Sequence, residues 1–340
     1  MFESDALEVW NLTAGQAARA GACEIFNVVG RVHRPEIGAT LTYSLNGGPE
    51  RAVFVRRRRE DGPRLSGPGH FNIDTISSSE LRRSNHLRLS LRDGPAAMSC
   101  DLPFDAVHCD EGEPRFALDL ERVSRVEDAG QVVDGRWTIA RDAEGRPFLG
   151  ILPDDIGYDR AILIGCGTWT AGYEILARLR VTKVAGSHNV GLLFKFNPHD
   201  RGDGTRLPTR WSSGLAYYRS YGPAGLKLRV GTGVHVNPRG VMQGDHVLGS
   251  RPLDYFRYWA RRVSPAHPAS ELRLGRDYWF HAVVGRDRYA LAVWQDGRPR
   301  RSAQVVVQNP PELLASGAVG VLAYQADVRV YDFQVRPCQS

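Results

Sequence analysis

The chain has 340 residues, 42% of them hydrophobic and 24% charged, with a formal net charge of +6. This length suits two domains rather than one ordinary core, and the proportions are those of a soluble globular protein, which argues against a disordered chain. No run approaches the ~18 apolar residues of a membrane-spanning helix, so no membrane partner is expected.

Only three of the 44 basic residues are lysines, Lys183, Lys195 and Lys227. Guanidinium groups suit bidentate pairing with carboxylates or phosphates. Their excess is modest and spread along the chain, which argues against nucleic acid as the partner. Residues 1–10 carry acids rather than a basic start and an apolar run, so no signal peptide is read there. The protein as written is expected in the cytoplasm, or outside the cell if an export segment has been removed.

Residues 8–108 read as strands joined by turns. Cys23–Gly30 is rich in β-formers, and Thr40–Leu45 alternates before Asn46-Gly47-Gly48, a tight-turn signal. Ala52–Val55 is the expected return strand. Phe71–Asp74 and His86–Leu91 alternate with period two, as half-buried strands do. The runs "I-F-N-V-V-G-R-V", "L-T-Y-S-L-N-G-G", "G-H-F-N-I-D" and "N-H-L-R-L-S-L-R-D" resemble the Ig-like modules that precede catalytic or binding domains in bacterial surface proteins. That resemblance implies a spacer or dimerisation surface, and so keeps a homo-oligomer open.

Residues 109–131 are acidic and mixed, a linker or a lead-in strand. Strand patterns resume with Gly135–Ile139, Tyr158–Gly165, Trp169, Tyr173–Thr182, Asn189–Asn197, Gly214–Tyr221, Leu226–Val230 and Tyr278–Trp294. The chain closes with Gly317–Tyr324, a short turn and Val328–Val335. This ending, "G-A-V-G-V-L-A-Y" then "V-R-V-Y-D-F-Q-V", resembles that of concanavalin A-like and laminin-G-like domains. "D-R-A-I-L-I-G", "T-W-T-A-G-Y-E-I-L-A-R-L-R-V" and "L-A-V-W-Q-D-G" are similar to their central strands. The resemblance implies a final strand lying beside the first. The expected fold is therefore all-β, an Ig-like sandwich over residues 1–109 followed by a concanavalin A-like/laminin-G-like jelly roll over residues 110–340. Residues 240–275 read as a long loop with a short helix near 254–262, an insertion of the kind that serves as a lid or binding loop.

Alternation assigns faces. Tyr173, Ile175, Ala177, Leu179 and Val181 form a core row, which puts Glu174 and Arg178 on the other side. Val190, Leu192, Phe194 and Phe196 are expected to face in, with Lys195 and Asn197 out, and His281 alternates with Phe280 and Ala282. Glu174, Arg178, Lys195, Asn197 and His281 are thus expected on one polar surface. A carboxylate and an imidazole among cations suit acid/base work, for which Glu174 and His281 are the candidates, or a polar ligand. The same alternation also yields a plain solvated face with cross-strand charge pairs.

Aromatic residues gather in the loops. Trp169, Trp211, Tyr217, Tyr258 and Trp259, together with His199 and Arg219, complete the ligand-binding candidates, because sugar rings stack on aromatic faces while their hydroxyls need fixed polar partners. Asn197–Gly204 has calcium-like oxygen spacing, with Asp200 and Asp203 as weak candidates, but it lacks the closing acid of an EF-hand loop. Calcium is the one cofactor considered, and a solvated turn is the simpler reading. Arg56–Arg59 ends in a turn and reads as a solvated hairpin end. The five cysteines match no zinc spacing. Cys23 and Cys100 leave both a disulfide and free thiols open.

No catalytic signature such as G-x-S-x-G, a P-loop or H-E-x-x-H is present. The E-x-D-x-x-E strand of laminarinase-type jelly-roll glycosidases is missing too. The leading expectation is therefore binding of a carbohydrate or glycosylated polar small molecule on the jelly-roll face and rim loops. A hydrolase or lyase acting at the same face is the first alternative, and a non-catalytic scaffold the second.

Overall fold

The computed structural model describes residues 2–3, 6–20, 25–33, 39–58, 65, 67–93, 96–108, 115–152, 160–165, 167–170, 172–199, 210–221, 229–237, 267–268, 272–300, 302–303, 305–308 and 316–338. These residues are all-β, as expected. In chain order the first strands are β1 (Phe2–Glu3), β2 (Leu7–Val9), β3 (Gln16–Ala20), β4 (Ile25–Val32), β5 (Thr40–Leu45), β6 (Arg51–Val53), β7 (His70–Ser77), β8 (Ser84–Asp93) and β9 (Ala96–His108). They form two sheets, β1-β2-β4-β7 and β3-β9-β8-β5-β6, in which only β3 and β9 run parallel.

The alternation of β5, β7 and β8 sends Leu41, Tyr43, Phe71, Ile73, Leu87 and Leu89 into one shared core. The turn after β5 is built as its residues require. Asn46 and Gly47 take φ of +53° and +74°, values cheap for these two residues, and the Gly48 N–H donates to the Leu45 carbonyl at 2.9 Å. Cys100 is a buried free thiol whose pKa burial pushes up to about 11, so it stays protonated at neutral pH. Cys23 lies outside the described residues.

The second group begins with β10 (Phe116–Ala117), the helical turn α1 (Val126–Ala129), β11 (Gly130–Asp134), β12 (Trp137–Arg141), β13 (Pro147–Ile151), β14 (Arg160–Ile164) and β15 (Trp169–Thr170). It continues with β16 (Tyr173–His199), β17 (Arg210–Tyr221), β18 (Arg229–Asn237), β19 (His267–Pro268), β20 (Asp277–Val284), β21 (Arg288–Gln295), β22 (Val305–Gln308) and β23 (Ser316–Pro337).

Two long strands organise this group. The expected pairs Tyr173–Thr182 with Asn189–Asn197, and Gly317–Tyr324 with Val328–Val335, are each one continuous strand, so the expected turn in the last pair is absent. β16 and β23 pair with each other along most of their length, but their register shifts between Val184 and Asn189. There the ribbon bends, with Gln325 at φ +51°, and passes from one layer to the other. Residues 173–180 pair with β20, whereas residues 188–199 pair with β17. On β23, residues 329–335 meet β13 and β10, while residues 320–323 meet β14. The result is a two-layer sandwich. β10 does lie beside the final strand, as the resemblance implies.

Between the layers, Ile175, Ala177, Leu179, Phe280, Leu291 and Phe333 of one side pack with Ile162, Val190, Leu192, Phe194, Val319 and Val321 of the other. Gly135, at φ +88°, marks one close approach, since a Cβ there would come within 2.0 Å of the buried Arg160 side chain.

Buried polar groups join the first group to the second. The Asn11 amide donates to the Asn27 carbonyl and its oxygen accepts from the Val29 N–H. Asn27 Nδ2 donates to Asn72 Oδ1 at 3.0 Å, and Asn72 Nδ2 reaches the Val133 carbonyl at 2.8 Å. Arg136 pairs with Glu8 at 3.1 Å and lies over the Trp10 ring. These bonds satisfy buried amide groups of Asn11, Asn27 and Asn72, so separating the two groups would strand several at once.

Candidate functional site

The outer face of the layer formed by residues 173–181, β20, β21 and the end of β23 carries a connected cluster of polar and aromatic side chains. Its geometry follows from pairing. Tyr173, Ile175, Ala177 and Leu179 point into the core, so Glu174, Leu176, Arg178 and Arg180 point out. Glu174 sits opposite Arg336 on β23, and Leu176 opposite His281 on β20. Arg178 is flanked by Trp279 and Asp332, and Trp279 in turn by Trp294 of β21.

Glu174 and His281 are 8% and 6% exposed. His281 Nε2 lies 2.6 Å from Glu174 Oε2, while the second carboxylate oxygen accepts from Arg336 Nε. Arg300 Nη2 rests against the imidazole, 2.9 Å from Nδ1 and 3.3 Å from Nε2. Nε2 faces the Glu174 carboxylate, which accepts its proton in the hydrogen bond. Burial pushes the His281 pKa down, the Glu174 bond pulls it back, and the nearby Arg300 charge lowers it again, for a net value below the ordinary range. For Glu174, burial works upward, but the His281 and Arg336 hydrogen bonds outweigh it and hold the carboxyl below its usual range.

Beside this group, Trp279 and Trp294 stack with centroids 6.4 Å apart and planes 20° from parallel. Trp279 Nε1 donates to Asp296 at 2.8 Å, and the Arg178 guanidinium lies 5.6 Å from the centre of the Trp279 ring. Arg178 also pairs with Asp332 at 2.6 Å. At the far end Arg146 and Arg180 both pair with Asp277, and the Tyr331 hydroxyl donates to Asp142 at 3.0 Å. Burial raises the Asp142 pKa, but bonds from the Arg146 backbone and Tyr331 outweigh it and bring the carboxyl down to about 2. An open groove of about 430 Å³ runs along the edge of this layer past Arg115, Gln334 and Arg336.

Of the expected candidates, the structure brings Glu174, Arg178 and His281 onto this one face. Lys195 does not join them. It lies past the bend of β16, 6% exposed and at φ +49°, in the irregularity between Phe194 and Asn197. The same irregularity turns Phe196 away from Phe194, into the apolar cluster on the opposite side of its layer. Period-two counting fails at both points, because a bend changes the layer and a bulge changes the face.

Trp169 is a core residue at 6% exposure, not a rim aromatic, because β15 pairs with β23 and directs the indole inward. Asn197, His199, Trp211, Tyr217 and Arg219 lie on β16 and β17, whose backbone pairing is given above; their side chains are outside the described set. Tyr258, Trp259, Asp200, Asp203 and residues 254–262 also lie outside it.

Trp279, Trp294, Asp296, Asp332, Arg300 and Arg336 were missed in the sequence. The signal for the first was there: the row that gives His281 its outward position also contains Trp279. Arg300 follows the β21 strand outside any alternation, and nothing in its neighbourhood predicts contact with His281.

No family model matches the chain, and no curated protein matches it. Solved structures are similar to it at low identity. A Bacillus subtilis protein of unknown function with a galectin-like fold aligns over 67% of this chain and 97% of its own, with 11% identity and a TM-score of 0.38. The exoplasmic/lumenal domain of VIP36, in its Ca2+/Man-bound form, aligns over 66% and 90%, with 9% identity and a TM-score of 0.44. An immunostimulatory antigen and pseudo β-1,3-glucanase of Mycobacterium tuberculosis aligns over 68% and 95%, with 14% identity and a TM-score of 0.34. At these scores the likenesses carry no argument about what this chain does.

Proposed function

We propose that the chain binds a carbohydrate or another polar small molecule on the outer face described above. In this reading residues 1–109 form an Ig-like support and residues 110–340 a jelly roll that carries the site. The support is compatible with the strand order of the first two sheets, one holding β4 beside β7 and the other β9-β8-β5, as in immunoglobulin sandwiches.

The observation that carries the functional reading is the juxtaposition on one face of stacked Trp279 and Trp294 with Arg178, Asp296, Asp332 and the Glu174–His281 pair. Mixed aromatic and polar surfaces of this kind fit ring C–H faces and hydroxyls together. Calorimetric titration with a panel of neutral and acidic oligosaccharides tests it. Binding should appear for at least one sugar class and fall roughly tenfold or more in Trp279→Ala. A panel without heat or thermal shift would contradict it.

One feature favours a second reading, a hydrolase or lyase at the same face. A neutral imidazole oriented by a buried carboxylate is a general-base arrangement. Product formation lost in His281→Gln, with binding retained, would support that reading.

A further inference from the structure

We infer that this face holds a recognition point for an acidic group, formed by Arg300 and Arg336 on either side of the Glu174–His281 pair, so that its ligand is an anionic sugar or sugar-like acid. The inference rests on the binding reading and narrows it to a ligand class.

The cations of this face are not alike. Arg178 is matched by Asp332 and Asp296, Arg180 by Asp277, and Arg146 by Asp142 and Asp277. Arg300 is different. It is exposed, it lies 6.0 Å from the centre of the Trp294 ring, and its Nη2 rests against the His281 ring, 2.9 Å from Nδ1 and 3.3 Å from Nε2. Among the described residues no carboxylate stands within ion-pair distance of it. Its contact is with an imidazole rather than an anion, so its charge is left unbalanced, whereas a carboxylate would add ion pairing and a bidentate geometry. An incoming oxyanion would therefore take Arg300 from His281 at a net gain.

Arg336 supplies the second arm. Its Nε is committed to Glu174, its terminal nitrogens remain as further donors, and the residue lines the groove together with exposed Arg115. Charge points the same way. Glu174 is balanced by Arg336 and His281 is neutral, so Arg300 leaves the group with one net positive charge. A cation has no place here, since both oxygens of Glu174 are already hydrogen-bonded.

The test is a calorimetric comparison of the full-length chain with tri-galacturonate and tri-glucuronate, their carboxyl-reduced neutral counterparts, and a sulfated trisaccharide. The acidic sugars should bind roughly ten- to hundredfold more tightly than the reduced ones, the preference expected of a charged hydrogen bond. In Arg300→Gln that ratio should fall to within about twofold while affinity for the neutral sugar is kept. Trp279→Ala should weaken acidic and neutral sugars alike. A carboxylate optimum and a sulfate optimum would each support the inference and identify the acid.

Equal affinity for acidic and neutral sugars, still sensitive to Trp279→Ala, would overturn the inference and leave the binding reading standing. So would an acid preference unchanged in Arg300→Gln. Binding of neither class would overturn both. Arg300 lies on an exposed segment, and an unchanged Tm of the Arg300→Gln protein shows that its fold is intact.

Discussion

The two halves of the β16–β23 ribbon share the same two strands and a core, yet their outward faces are opposites. In the first half, Glu174, Arg178, Arg180, Asp332 and Arg336 line the outside and meet Trp279 and His281 from β20. In the second half, the outside is Leu193, Phe196, Ala318 and Leu322, joined by Ala161 and Leu163 of β14 and almost completely buried. One ribbon therefore carries two different tasks. An apolar outer face must be covered to be stable, whereas a polar face whose charges are matched can remain open to solvent. On the proposed reading, this contrast is what leaves the first half available for recognition.

Substitutions that reverse this contrast should show it most sharply. Leu163→Asp places an unpaired carboxylate in the fully buried apolar face, and about 4 kcal/mol or more of stability should be lost, read by chemical denaturation. On the polar face Asp142→Asn removes the charged acceptor of Arg146 and Tyr331, and about 1–3 kcal/mol should be lost in the same measurement. Both effects should exceed that of Trp279→Ala on stability, whose main consequence belongs to binding.

Acid titration separates the polar face further. The folded His281 pKa is lowered, so the unfolded chain takes up its proton first as the pH falls below the ordinary histidine value. The stability contributed by the neutral imidazole is present above that pH and drains away below it, at no more than about 1.4 kcal/mol per pH unit for one proton. Glu174, also lowered, keeps its contribution until the pH drops past the ordinary carboxylate value. In His281→Gln the earlier decline should vanish and the later one remain, as followed by Tm against pH. The smallest effect is expected at Arg88, whose pair with Asp101 is fully exposed. Arg88→Gln should leave Tm unchanged, in contrast to the matched charges on the sheet face.

The contrast also marks what could be read from residues alone. Alternation along Tyr173–Val181 and Tyr278–Val284 was enough to put Glu174, Arg178 and His281 on one side, because the two segments pair with each other without a register shift from Tyr173 to Arg180. It misplaced Lys195 and Phe196, since nothing local announces that the ribbon has changed layer by residue 189 or that the chain bulges after Phe194. It also made Trp169 a ligand contact, although burial in the common core depends on its pairing with Gly317, more than a hundred residues away. Arg300 and Arg336 reach the site through tertiary contacts of the same kind. Strand existence is a local property, while layer, face and partner are settled by pairings distant in sequence.

The most direct test of the central claim is calorimetric titration of one protein pair, wild type and Trp279→Ala, with neutral and acidic oligosaccharides at neutral pH. The polar outer face as a sugar-binding surface predicts saturable heat for the wild type and a loss of roughly tenfold or more in the variant, with folding unchanged by circular dichroism. Equal affinity in both proteins would move the site off this face, and no heat in either would contradict carbohydrate binding itself.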